Sequence, residues 1–128
     1  MVIVDTSVWL QFLRSNDLTV RAEMDLLRAK GEIHVVGVVV AEILQGARSR
    51  QELEQLEDRL AAFPYLPDTA ETWTRVGNLS FQLRLLGNPV PMVDVLIAAL
   101  AIENGCSVYT LDQHFQRIPG VALHQLGP

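Results

Sequence analysis

Short β-branched runs alternate along the chain with stretches in which apolar residues recur every three or four positions. Residues 2–4, Val-Ile-Val, form such a run closed by Asp5, and predict a buried strand that ends in a loop. Thr6 or Ser7 then stands where a helix cap belongs, ahead of Trp9, Phe12 and Leu13. Asp17 opens a second helix with Val20, Met24 and Leu27 on one face. Lys30-Gly31 ends it with a cation in the last turn and a glycine stop. Residues 33–36 predict a second strand, followed by Gly37 and an apolar helix that carries Glu42. Between residues 49 and 63, Leu53, Leu56 and Leu60 recur at helical spacing among charges, the mark of an amphipathic surface helix. Pro64 and Pro67 punctuate the chain beyond it.

Downstream, Asp68 stands as the cap of a long helix whose buried stripe is Val76, Leu79, Leu83 and Leu86. Asn88-Pro89-Val90-Pro91 predicts a rigid loop, because two prolines forbid helix through it. Asp94 begins a helix over 95–103 that is apolar nearly all round and therefore central to the core; Asn104-Gly105 ends it. Residues 106–111 predict a strand followed by Asp112, and a short helical turn leads to a last strand at 121–123. Strands alternating with helices require a parallel sheet covered on both faces. The expected fold is α/β, a three-layer sandwich around a central, mostly parallel sheet.

Composition narrows the class. With 128 residues, 49% hydrophobic and 20% charged, the chain is expected to form one domain over residues 1–128 and is not of the disordered type. Ten Lys and Arg against fifteen Asp and Glu give a net charge of −5, opposite to a protein that grips nucleic acid through a basic surface. If it handles RNA, it needs local arginines, a bound cation or a basic partner. The single cysteine, Cys106, excludes an internal disulfide and a Cys-based zinc cage. The longest apolar runs, 35–41 and 95–102, fall far short of the roughly 20 residues that span a membrane. The first residues lack the basic lead and cleavage site of a signal peptide, so a cytoplasmic protein is expected.

The acids then carry the chemistry. Ligands of an open parallel sheet sit beyond the carboxyl ends of its strands, where Asp5 and Asp112 are expected. Asp94 at a helix start and Glu42 within an apolar segment line the same edge. Taken singly, Asp5, Asp94 and Asp112 are ordinary helix caps, and Glu42 an exposed acid paired with Arg48. Taken together, four acids with few cations nearby require a metal, and Mg²⁺ or Mn²⁺ is the hard cation that suits carboxylate oxygens. The hydroxyls of Thr6 and Ser7 add oxygen donors beside Asp5, or cap the helix. A metal bound among these acids would acidify a water, with Glu42 as a further ligand or as the group that orients that water. His34, His114 and His124 are scattered without zinc-like spacing. For an RNA ligand, Arg14, Arg48, Arg50 and Arg84 are candidate backbone contacts, although solvated surface charge is the better reading of any one of them, and Trp9 and Phe12 are candidate base-stacking rings whose helical spacing favours the core. A haloacid-dehalogenase-like phosphatase needs a second Asp where Ser7 stands. A response-regulator receiver needs a lysine near its Asp, and Lys30 is the only lysine.

Four segments in order, Val4-Asp5-Thr6-Ser7-Val8-Trp9, Val40-Ala41-Glu42-Ile43-Leu44-Gln45-Gly46, Val93-Asp94-Val95-Leu96-Ile97-Ala98-Ala99 and Tyr109-Thr110-Leu111-Asp112-Gln113-His114-Phe115, resemble the PIN-domain family. More closely, they resemble the VapC-type toxins of prokaryotic toxin–antitoxin systems, and the resemblance spans the whole chain. It implies a Mg²⁺- or Mn²⁺-dependent endoribonuclease with Asp5, Glu42, Asp94 and Asp112 as its acids, and with Thr110 and a hydroxyl beside Asp5 in support. It also implies a homodimer, and a small cognate antitoxin held near residues 38–63 whose basic segment reaches the acidic site. Many relatives carry a further acid two residues after the Asp112 position; here His114 stands there, which bears on a second metal. A PIN-like module that only binds protein or RNA is the alternative, and it does not require four intact acids.

Overall fold

The computed structural model describes residues 1–126. The chain runs β1 (Val2–Val4), α1 (Thr6–Arg14), α2 (Leu18–Ala29), β2 (Ile33–Val36), α3 (Gly37–Gln45), α4 (Arg50–Leu60), β3 (Tyr65–Leu66), α5 (Ala70–Leu85), α6 (Met92–Asn104), β4 (Ser107–Tyr109), a 3₁₀ turn (Gln113–Arg117) and β5 (Ala122–Leu123). The five strands lie in the order β3-β2-β1-β4-β5, and every pairing is parallel. Six helices flank the sheet, the α/β architecture that the alternation of strands and helices requires. β1 is buried along its whole length between β2 and β4, which is why Val-Ile-Val shows no polar alternation. Because all strands point the same way, the ends of β1, β2 and β4 open onto one edge.

α6 is the central helix: every residue from Asp94 to Ala101 is buried, and the helix packs against β1, β4 and α5. Gly105, at φ 65°, takes the left-handed conformation that ends it, a conformation costly for any side chain. Asp17 caps α2 by accepting from the Val20 N–H, as its sequence context predicts. No described helix is long and apolar enough to cross a membrane.

Several boundaries differ from the sequence expectation. The cap of α5 is Thr69 and not Asp68: the Thr69 and Thr72 hydroxyls form a reciprocal capping box. Leu86 lies just past the end of that helix and is exposed, so it leaves the predicted stripe, while Val76 and Leu83 are buried. β4 covers Ser107–Tyr109 instead of 106–111, because its partner strand β1 ends at Val4, opposite Tyr109, and β5 is two residues long. The prolines at 64 and 67 enclose β3, a strand the sequence did not reveal. Two residues at a sheet edge give no periodicity, and the Pro64 carbonyl needs no N–H of its own to accept from Val35.

Candidate active site

Asp5 follows β1 directly and occupies the cap position of α1, so neither Thr6 nor Ser7 is the cap residue. Its carboxylate makes no capping hydrogen bond. Instead, Asp5 Oδ2 accepts from Ser7 Oγ at 2.9 Å and from Thr110 Oγ1 at 2.8 Å, and the residue is 5% exposed. Each of these hydroxyls also accepts a backbone N–H: Ser7 Oγ from Leu111 at 3.1 Å, Thr110 Oγ1 from Asp112 at 2.9 Å. The loops after β1 and β4, far apart in sequence, are thereby stitched together around one carboxylate. A cap that does not cap has its charge available for another task.

Asp94 is the third residue of α6, whose cap is Pro91, so the reading of Asp94 as a helix cap does not hold. Its carboxyl is buried beneath the sheet edge, and burial pushes its pKa above the ordinary value. The hydrogen bond from His114 acts downward, and the charges of Asp112 and Asp5 push up again. Asp112 does cap, accepting the His114 N–H on Oδ1 at 2.9 Å at the start of the 3₁₀ turn. The bland and the chemical readings coexist there, since one oxygen serves the turn. His114 Nδ1 lies 3.2 Å from Asp94 Oδ2 and 3.1 Å from Asp112 Oδ1.

Asp94, Asp112 and His114 form a group whose ligand atoms lie within 4.8 Å of one another. Asp5 stands outside that trio, close enough for its charge to act on Asp94. Glu42, half-buried on α3, is tied to the Asp5 region through Thr6, whose Oγ1 donates to Glu42 Oε1 at 2.7 Å. The expected pairing with Arg48 is absent: among the described residues Glu42 makes no ion pair. The donors are carboxylates and one imidazole, with no arginine or lysine paired to Asp5, Asp94 or Asp112 among the described residues. That donor set fits a divalent cation, because clustered carboxylates repel until a cation joins them.

The structure brings His114 into the site although its spacing from the other histidines carries no signal; the usable sign was its place two residues after Asp112. Arg14 donates to the Gly46 carbonyl at 2.7 Å and pairs with Glu52 at 3.1 Å. Trp9 is a core residue, edge-on to Phe12 and Phe63.

Parallel topology with carboxylates gathered beyond the strand ends defines an α/β domain with an acidic cluster at one sheet edge. The chain belongs to the PIN-domain family, whose model matches residues 2–121. It is 30% identical over 122 residues to Ribonuclease VapC18 of Mycobacterium tuberculosis, covering 92% of this chain and 87% of that one. Ribonuclease VapC11 of the same species is 29% identical over 122 residues, covering 92% of this chain and 91% of the relative. Among solved structures, DNA-bound VapBC from Salmonella typhimurium superposes with a TM-score of 0.82 at 22% identity, covering 96% of each chain. A toxin–antitoxin complex from Klebsiella pneumoniae gives 0.79 at 15% identity, over 95% of this chain and 96% of that one.

Proposed function

We propose that this chain is a VapC-type toxin, a divalent-metal-dependent endoribonuclease that acts in the cytoplasm as a single domain and is restrained by a small antitoxin. The observation that carries this reading is the gathering of Asp5, Asp94 and Asp112 at one sheet edge, in a chain that matches ribonucleases along nearly its full length. Asp5, Asp94 and Asp112 would hold Mg²⁺ or Mn²⁺. When bound, the ion supplies Lewis acidity at the scissile phosphate and a competent water nucleophile at neutral pH.

The chain's own groups do the rest. Ser7 and Thr110 fix the Asp5 carboxylate by donating to a single oxygen, Oδ2. Thr6 donates to Glu42 and orients it, and Glu42 would serve as a further ligand or as the group that orients the water. His114 is the only histidine in the site, so there is no pair of imidazoles to drive attack by the RNA's own 2′-hydroxyl. Products therefore carry a 5′-phosphate and a 3′-hydroxyl. The antitoxin is expected on the apolar groove formed by α3, α4 and β3, lined by Val40, Leu44, Leu60, Phe63 and Tyr65.

The test is RNA cleavage by the purified chain with Mg²⁺ or Mn²⁺, followed by sequencing of the cut ends. Metal-dependent cleavage leaving 5′-phosphates is expected. A 2′,3′-cyclic phosphate or full activity in EDTA overturns the mechanism, and metal binding without any cleavage returns the chain to the class of binding modules.

A further inference from the structure

We propose that His114 is itself a ligand of the divalent ion, making the centre a mixed nitrogen–oxygen site that favours first-row transition ions over Mg²⁺. The inference rests on the metal dependence proposed above and goes beyond it by naming a nitrogen donor and a metal preference. Nδ1 of His114 faces two carboxylates at once, Asp94 Oδ2 at 3.2 Å and Asp112 Oδ1 at 3.1 Å. Without an ion this contact is a hydrogen bond from the imidazole to the acids; with one, the same nitrogen stands beside both carboxylates as a third donor. The backbone of His114 is pinned as well. The His114 N–H donates to Asp112 Oδ1, and the next residue, Phe115, is fully buried.

Three ligand atoms within 4.8 Å come from separate places in the chain: Asp94 from the first turn of α6, Asp112 from the loop after β4, His114 from the 3₁₀ turn. Asp112 and His114 are tied to each other through the His114 N–H, while Asp94 reaches them from a separate element, the buried helix α6. The local balance of charge points the same way. The arginines that form ion pairs among the described residues pair with Glu52, Asp25 and Glu103, which leaves the imidazole as the one basic group against Asp94 and Asp112.

The donor type decides the preference. Mg²⁺ takes oxygen ligands almost exclusively, whereas imidazole suits the transition ions, with affinity rising from Mn²⁺ toward Co²⁺ and beyond. An all-carboxylate version of the same pocket lacks that bias. The remaining histidines are engaged elsewhere, His34 with the Glu32 carbonyl at 3.0 Å and His124 with Glu23 at 2.7 Å. A nitrogen signal from a bound ion is therefore attributable to His114.

The experiment uses the full chain and reads binding rather than cleavage. Calorimetric titration of Mg²⁺, Mn²⁺ and Co²⁺ into wild type, His114→Ala and His114→Asp gives the ratio of affinities. Pulsed EPR of the Mn²⁺-loaded wild type reads ¹⁴N hyperfine coupling without any substitution. We expect imidazole coupling in the wild type and its loss in both variants. The Co²⁺-to-Mg²⁺ affinity ratio should fall by about tenfold or more in His114→Ala, given that even outer partners of a metal site are worth about 10–100-fold. In His114→Asp the ratio should fall further, with Mg²⁺ bound more tightly than by wild type. A Mn²⁺ spectrum with no ¹⁴N coupling, or variants that weaken all three ions by one common factor, overturns the ligand role and leaves the nuclease reading standing. Failure of wild type to bind any of the three ions overturns both.

Discussion

At Asp94 the fold disfavours a charge that the proposed metal site needs. Burial, then Asp112 and Asp5, raise its pKa against the lowering effect of His114. A carboxyl whose folded pKa is raised destabilises the protein at high pH. That penalty fades as the pH falls through the folded pKa, and is gone below the unfolded value of 3.8. Asp94→Asn removes the penalty, so in EDTA its melting temperature at pH 7 should equal or exceed that of wild type, the difference closing as the pH approaches 3.8. With Mn²⁺ the order reverses, because a ligand at a hundredfold its Kd stabilises by about 2.7 kcal/mol, and the variant forfeits that gain. RNA cleavage should fall by at least about 100-fold. Wild-type cleavage by this variant would leave Asp94 a structural residue. Thr110→Val tests the neighbouring carboxylate: it deletes the hydroxyl that donates to Asp5 and accepts from the Asp112 N–H. Mn²⁺ affinity measured by calorimetry should drop about tenfold, while Tm falls by the equivalent of about 1–3 kcal/mol for the unsatisfied amide. Unchanged metal affinity would show that the hydroxyl serves only the loop.

Among the elements, α4 shows how much a pattern can say. Leucines at helical spacing marked an amphipathic helix, and Leu56 and Leu60 are buried, with Leu53 between core and surface. The pattern does not reveal which apolar face is left for a partner. Leu56 belongs to the core, so a charge there tests folding rather than docking, and Leu56→Ala should cost about 2–5 kcal/mol whether or not a partner is present. The groove beside α4 is better probed at Ala61, which lines it and is exposed. Ala61→Glu should leave Tm within a few degrees of wild type while weakening the cognate antitoxin about tenfold or more by calorimetry. Equal affinity would move the partner to another face. The start of α2 was legible at Asp17, whereas the start of α5 slipped by one residue where Asp68 and Thr69 compete. The burial of Thr72 in the first turn of α5, where it donates to Glu103 at 2.8 Å, decided that competition through a contact with α6.

For the whole molecule, α5 presents a second apolar surface. Trp73, Phe81 and Leu85 recur at multiples of four on one helical stripe and are exposed by 47%, 51% and 66%. Gly77 stands between them, with nothing within 4 Å of where a Cβ would be, so a neighbouring backbone can approach closely. Exposed aromatic stripes of this kind mark association surfaces. The homodimer expected from the family should therefore form here, and Phe81→Glu with Leu85→Glu should halve the mass measured by light scattering at micromolar concentration. A double variant with unchanged mass would place the dimer contact elsewhere.

The order of amino acids by itself determined the alternation of strands and helices, the parallel sheet that follows from it, and the acids Asp5, Glu42, Asp94 and Asp112. These were readable because hydrophobic period and the scarcity of nearby cations are local properties of the chain. Tertiary structure alone decided which of the acids meet. Asp5 and Thr110 are 105 residues apart and touch only because β1 lies between β2 and β4 with all strands parallel. The packing of the 3₁₀ turn against α6 brings His114 to Asp94, 20 residues upstream. Glu42 is connected through the Thr6 hydroxyl and not through Arg48. Such contacts depend on strand order and on the direction in which each side chain leaves its turn, and neither is written in any local stretch of sequence.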